Sequence, residues 1–100
     1  GLLAAAKHLN PAGIVHGGVL LTLLDHVVST VAWEAAGRVA CATVQIDSQF
    51  RGPVRPGDFV TAAASVARQT RDLMFMEGRL PVGAEVVAGG QALLKILSRP

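Results

Sequence analysis

The chain changes its hydrophobic rhythm once, at Gly37. Before that point Leu20, Leu21, Leu23, Leu24, Val27, Val28, Val31 and Ala32 cover nearly every direction, while Thr22, Asp25, His26 and Ser29 recur at i, i+3, i+4 and i+7. That spacing draws one narrow polar stripe along a helix. Neither Gly nor Pro interrupts residues 19–36, and Gly37 supplies a stop, so one long helix is expected over Leu20–Ala36. Such a rod should be wrapped over most of its circumference, with its polar seam opening to solvent or to a site.

After Gly37 the period becomes two. Ala42, Val44, Ile46, Ser48 and Phe50 alternate with Cys41, Thr43, Gln45, Asp47, Gln49 and Arg51, which predicts a half-buried strand over Ala40–Arg51. A turn-rich stretch, 52–57, leads to a second strand over Asp58–Arg68. Thr70-Arg71-Asp72 then links to Leu73–Val82, where Met74, Met76, Leu80 and Val82 share a core face. Gly83-Ala84 precedes a last strand over Glu85–Ser98, whose Gly89-Gly90 pair implies a bulge or a close backbone approach. Residues 2–8 fit a short strand or a helical turn, the strand being preferred, and Asn10-Pro11-Ala12-Gly13 predicts a turn. Short links imply antiparallel neighbours. The expected fold is α+β in a single domain, 1–100: one long central helix wrapped by a curved antiparallel sheet of about five strands.

Composition sharpens this picture at one point. Of 100 residues, 51% are hydrophobic and 16% charged, more apolar matter than a sphere exposing roughly 5,400 Å² can hide. Subunit contacts should take up the excess. A formal charge of +2, scattered cations and only four aromatics (Trp33, Phe50, Phe59, Phe75) do not describe a nucleic-acid binder. The apolar run Val19–Leu24 alone is far short of a membrane span. Cys41, the single cysteine, excludes an internal disulfide and points to a reducing, cytoplasmic compartment. Three histidines and one cysteine show no closed metal-ligand spacing.

The strongest chemical constellation is Asn10-x5-His16-Gly17-Gly18-x6-Asp25. Gly17 and Gly18 fall where the helix begins, so their N–H groups lack intrahelical partners and sit at the positive end of the dipole. A carbonyl gaining charge in a tetrahedral intermediate is what such donors stabilise, each worth about 10²–10³ in rate. Asp25 lies two turns on, roughly 10–12 Å away. That is too far for both groups to serve one carbonyl within one chain, so a joint site needs a second subunit. Against this, a helix Asp is often merely solvated, Asn10 a turn residue, and His16-Gly17-Gly18 a plain junction. His8 and His26 read as ordinary surface histidines. Ser29, Ser48, Ser65 and Ser98 lack a nucleophile elbow.

These residues, with Phe50-Arg-Gly-Pro-Val-Arg-Pro-Gly57-Asp58 and Gln69-Thr-Arg71…Phe75-Met-Glu77-Gly78, resemble the hotdog-fold acyl-CoA thioesterases over residues 2–97. The branch they resemble is the phenylacetate-degradation and hydroxybenzoyl-CoA type. The resemblance implies that Asp25 is the carboxylate acting as base or nucleophile, and that the Gly17 amide polarises the thioester carbonyl. It further implies that Asn10 assists Gly17, that His16 belongs to the same motif, and that Thr43 positions the water. Strict alternation sets Thr43 opposite Val44 and Ile46, so the Thr43 role requires a bulge; Ser29, one turn after Asp25, is the alternative. The sequence is short at its N-terminus relative to that family, so a longer native chain is expected.

The implied substrate is an acyl- or aryl-acyl-CoA thioester, with coenzyme A part of the substrate and no separate cofactor. Over 51–71, Arg51, Arg55, Arg68 and Arg71 stand against Asp58 alone, a local charge of +3. The two pairs sit at opposite ends of one predicted strand, roughly 35 Å apart. Thr70 and Arg71 are therefore the expected CoA contacts, with Arg55 arriving from another subunit of a homodimer that pairs into a tetramer. A non-catalytic acyl-thioester-binding module and a dehydratase or hydratase using His16 with Asp25 are the rival readings.

Overall fold

The computed structural model describes residues 1–97. Its one long helix, α1, spans Gly17–Ala35 and starts three residues earlier than the apolar pattern suggests. His16 is the reason. At φ −61° and ψ 135° it is the N-cap, and its Nδ1 accepts a hydrogen bond from the Gly18 N–H at 3.1 Å. The predicted stop is a Schellman motif: the Arg38 N–H donates to the Trp33 carbonyl (2.8 Å) and the Gly37 N–H to that of Glu34 (3.2 Å). Gly37 and Arg38 both take positive φ there, 76° and 65°.

The strands are β1 (Leu2–Leu3), β2 (Cys41–Phe50), β3 (Phe59–Val60), β4 (Ala63–Gln69), β5 (Leu73–Val82) and β6 (Glu85–Ile96). The predicted end of the last strand at Ser98 lies outside the described residues. All pairings are antiparallel, in the order β1-β3-β5-β6-β2, with β4 also on β5. The link 51–58 is no hairpin, so β2 lies beside β6. Residues 2–8 hold a two-residue strand and a 3-10 turn, Ala6–His8. The second strand expected over Asp58–Arg68 is two pieces: Thr61 leaves the ladder to donate its N–H to the Pro81 carbonyl at 3.0 Å. Pro81 has no N–H to give, and the β5–β6 register slips between Leu80 and Pro81.

The helix packs against β2, β4, β5 and β6. Only Leu20, Leu24, Val28 and Ala32, spaced by four, are fully buried, while Leu21, Leu23, Val27 and Val31 remain half-buried. The sheet therefore clasps one side of the rod instead of wrapping most of it. By length and composition the helix would also qualify as a membrane span (mean hydropathy 1.2), although its packed stripe belongs to the core. Opposite the stripe stand Met74, Met76 and Leu80, with Gly78 among them on β5. A Cβ at Gly78 would come within 2.7 Å of Leu24 Cδ1 and 2.9 Å of Val28 Cγ1. The helix crosses β5 where there is no side chain. At Gly90 a Cβ would collide with the Asp47 carbonyl oxygen, so close backbone approach explains the glycine pair, and the ladder there runs without a bulge.

The chain exposes 6009 Å², more than the roughly 5,400 Å² expected of a compact monomer of this mass. Val44, Phe50, Phe59 and Leu3 are each more than half exposed.

Candidate functional site

Asp25 lies in the polar stripe of α1, half-buried, where the helix faces β2. Its Oδ1 accepts a hydrogen bond from Thr43 Oγ1 at 2.8 Å and a longer one from Ser29 Oγ at 3.5 Å. The two hydroxyls are themselves 3.5 Å apart. Ser29 reaches Asp25 because residues four apart share a helix face. Thr43 reaches it because β2 carries a bulge. The β2–β6 register pairs Thr43 with Leu94 and Gln45 with Leu93, leaving Val44 unpaired and 62% exposed. One supernumerary residue exchanges the two faces of a strand. Cys41 and Thr43 thus face the helix before Val44, and Ile46 and Ser48 turn inward after it. Thr43 and Ser29, alternatives in the sequence, are brought together on one carboxylate. Asp25 Oδ2 accepts no bond from the described residues and is free for a ligand or water.

The Gly17 N–H, first of the helix, meets no acceptor among the described residues. The next one, on Gly18, is taken by His16 Nδ1, which must be unprotonated to accept it. The Phe50 ring lies beside Gly17, 3.4 Å from where a Cβ would stand. Asn10 Oδ1 accepts from the N–H groups of Ala12 (3.0 Å) and Ile14 (3.3 Å), tying down the loop that delivers His16. That is turn chemistry, and it leaves the Asn10 amide nitrogen as the group able to reach outward. Gly17 and Asp25 sit eight residues apart on one helix, roughly 12 Å along its axis.

The expected CoA contacts separate in space. Thr70 Oγ1 accepts from the Leu73 N–H (3.0 Å), so its hydroxyl closes the β4–β5 turn, and Arg71 is exposed at the tip. Thr43 pairs with Leu94 and Leu94 with Met74, which sets this turn at the same end of the sheet as Thr43. Arg55, whose N–H donates to Asp58 Oδ2 (2.9 Å), belongs to the loop before β3, at the opposite end.

Sequence reasoning missed what His16 does as a cap, because Ser, Thr, Asp and Asn are the usual caps. It also missed a cleft that continues from the carboxylate. Ser29, Thr30, Trp33, Ala40 and Cys41 line a space of about 370 Å³ between the second half of α1 and the start of β2. Burial pushes the Cys41 thiol up from its ordinary range.

Known proteins resemble this chain in sequence and fold. The family model for the thioesterase superfamily fits residues 12–91. A Pseudomonas aeruginosa protein that carries an esterase name is 29% identical over 91 residues, 90% of this chain and 68% of its own. A Ralstonia eutropha protein described as a phenylacetic acid degradation-related thioesterase superimposes with a TM-score of 0.85 at 27% identity, covering 94% of this chain and 71% of its own. A Bacillus halodurans protein solved with CoA gives 0.89 at 24% identity, over 99% of this chain and 66% of its own.

Proposed function

Because this chain belongs to the thioesterase superfamily and has the hotdog fold, we propose that it hydrolyses an acyl-CoA thioester at a site shared by two copies of the chain. The observation that carries the reading is the Asp25 carboxylate: one oxygen is fixed by Thr43 and Ser29, and the other has no partner among the described residues. An orienting pair of hydroxyls on one oxygen aims the second at whatever occupies the site.

In this reading the thioester carbonyl accepts a hydrogen bond from the Gly17 N–H of a second copy, assisted by the Asn10 amide. His16, by occupying the Gly18 N–H, holds the turn that presents Gly17. Water held near Thr43 and Ser29 gives a proton to Asp25 Oδ2 as its oxygen attacks the carbonyl carbon. Collapse of the tetrahedral oxyanion breaks the C–S bond and releases the CoA thiolate and the acid. Direct attack by Asp25 and hydrolysis of the resulting anhydride uses the same oxygen. A thiolate leaves without strong protonation, so a carboxylate and an aimed N–H suffice. A protein of the same fold was solved with CoA, which supports a CoA ester as the substrate. Arg71, exposed beside Thr70 at the Thr43 end of the sheet, is the cation we assign to its phosphates, with Arg55 supplied by another copy of a tetramer.

The test is release of free thiol from a panel of acyl-CoA esters. Asp25→Asn should lower kcat by about 10²–10⁴-fold while the protein stays folded. A folded Asp25→Asn protein with near wild-type rate overturns the mechanism, and saturable acyl-CoA binding by the wild-type protein without thiol release makes the chain a binding module.

A further inference from the structure

Two contacts between α1 and β2 bear on the proposed chemistry. At one, Asp25 meets Thr43. At the other, Gly17 meets Phe50, whose ring atoms lie 3.4 Å from the position of a Gly17 Cβ. That position and the amide nitrogen hang on one Cα, so the ring stands within roughly 6 Å of the nitrogen. Phe50 pairs with the fully buried Ala88 and therefore points to the core side of β2, yet it remains 51% exposed. Burial alone does not account for a phenyl ring at this place.

Ring and helix start are fixed relative to each other. Arg51 and Gly52, which follow the ring, both donate their N–H groups to the Val87 carbonyl, at 2.7 and 3.1 Å. The chain then returns to the helix: the Val54 carbonyl accepts the Val15 N–H at 2.7 Å, and both valines are buried. His16, next after Val15, takes the Gly18 N–H and leaves that of Gly17, which has no acceptor among the described residues. A half-exposed aromatic stapled beside an unpartnered donor is arranged before any ligand arrives.

Resting on the thioesterase reading, we propose that Phe50 is a positioning residue for the oxyanion: its ring keeps water off one flank of the Gly17 N–H, which stays unsolvated for the thioester carbonyl. A donor already held by water must give it up first, and dry surroundings strengthen its field on developing charge. The same two elements bring the ring into a shared site. If Gly17 of one copy serves Asp25 of another, Phe50 travels with Gly17 and comes to face the carboxylate and Thr43 of that other copy. Its exposed half is then covered, and it closes the crevice between the two half-sites. Because the ring flanks the reacting carbonyl, its effect does not depend on the length of the acyl chain.

Phe50→Ala should lower kcat for acetyl-CoA and hexanoyl-CoA alike by about tenfold, a part of the roughly 10²–10³ that a whole oxyanion donor is worth, with KM held within about threefold. Phe50→Leu, which keeps most of the bulk, should stay within about threefold of wild type. Because the ring acts through the N–H, the loss from Phe50→Ala should shrink to less than about twofold in a Gly17→Pro background, whereas a merely structural ring would add its loss in full. Saturation transferred from water to the Gly17 N–H, read in ¹H–¹⁵N spectra without turnover, should rise in Phe50→Ala. Wild-type kcat in Phe50→Ala, an undiminished loss in the Gly17→Pro background, or unchanged water exchange at the Gly17 N–H overturns the proposal. Thiol release that survives every Phe50 change keeps the proposed function and removes only the role of the ring. Faster exchange in Phe50→Ala, with no thiol released by the wild-type protein, does the reverse: Phe50 shields the N–H and the hydrolytic reading falls.

Discussion

Gly17 is where the proposed reaction depends on a backbone atom, and its surroundings permit that atom to be deleted cleanly. It is the first residue of α1, the position at which proline is tolerated best because the N–H has no intrahelical partner. His16, before it, already has the extended φ and ψ that a residue preceding proline prefers. Gly17→Pro should therefore leave the far-UV circular dichroism intact and lower thioester hydrolysis by about 10²–10³-fold, the cost of one oxyanion donor. Full activity in a folded Gly17→Pro protein would exclude the N–H from the reaction. At this scale the sequence was legible wherever helical spacing alone joins residues. Asp25 and Ser29 are four apart, and the helix does the rest. Asp25 and Thr43 are eighteen apart, and their contact depends on a strand irregularity that no residue type announces.

That irregularity is a property of an element, and it can be tested as one. The Val44 side chain is exposed and its backbone stands outside the β2–β6 ladder. Val44→Ala should change stability by no more than about 0.5 kcal/mol, as expected of a surface position. Deleting Val44 removes no packing of its own yet restores strict alternation, turning either Cys41 and Thr43 or Ile46 and Ser48 away from the helix. The deletion should cost more than about 2 kcal/mol in thermal or urea melts and abolish hydrolysis. Equal behaviour of the two variants would contradict the bulge as the device that aims Thr43. The helix and the alternating strands were readable because each has one period and one buried face. The split between β3 and β4 was not readable from its own residues, since its cause sits across the ladder in Pro81.

For the whole molecule, the distance along α1 between Gly17 and Asp25 becomes a prediction about stoichiometry. If each site takes its N–H from one protomer and its carboxylate from another, Asp25→Asn and Gly17→Pro damage different halves of it. Mixing the two inactive proteins under subunit exchange should yield hybrids carrying one intact site and one doubly damaged site. With random exchange, half the dimers are hybrids and roughly a quarter of wild-type activity returns. No recovery, with exchange verified by differently tagged subunits, would place both groups of a working site in one chain. The apolar excess predicts a partner from composition alone, and the subunit-exchange experiment tests it. Which surface would meet it was not legible, because half-buried leucines and valines on α1 become visible only when the sheet is seen to cover one stripe of the rod.

The crossing of the helix over Gly78 has a consequence for the chemistry some distance away. Leu24, which rests on that bare stretch of backbone, is the immediate neighbour of Asp25. The altitude of the carboxylate over β2, and with it the short reach to the Thr43 hydroxyl, is thus set by a missing methyl group two strands away. An inventory of reactive side chains would pass over the position that acts as the spacer for the Asp25 cluster.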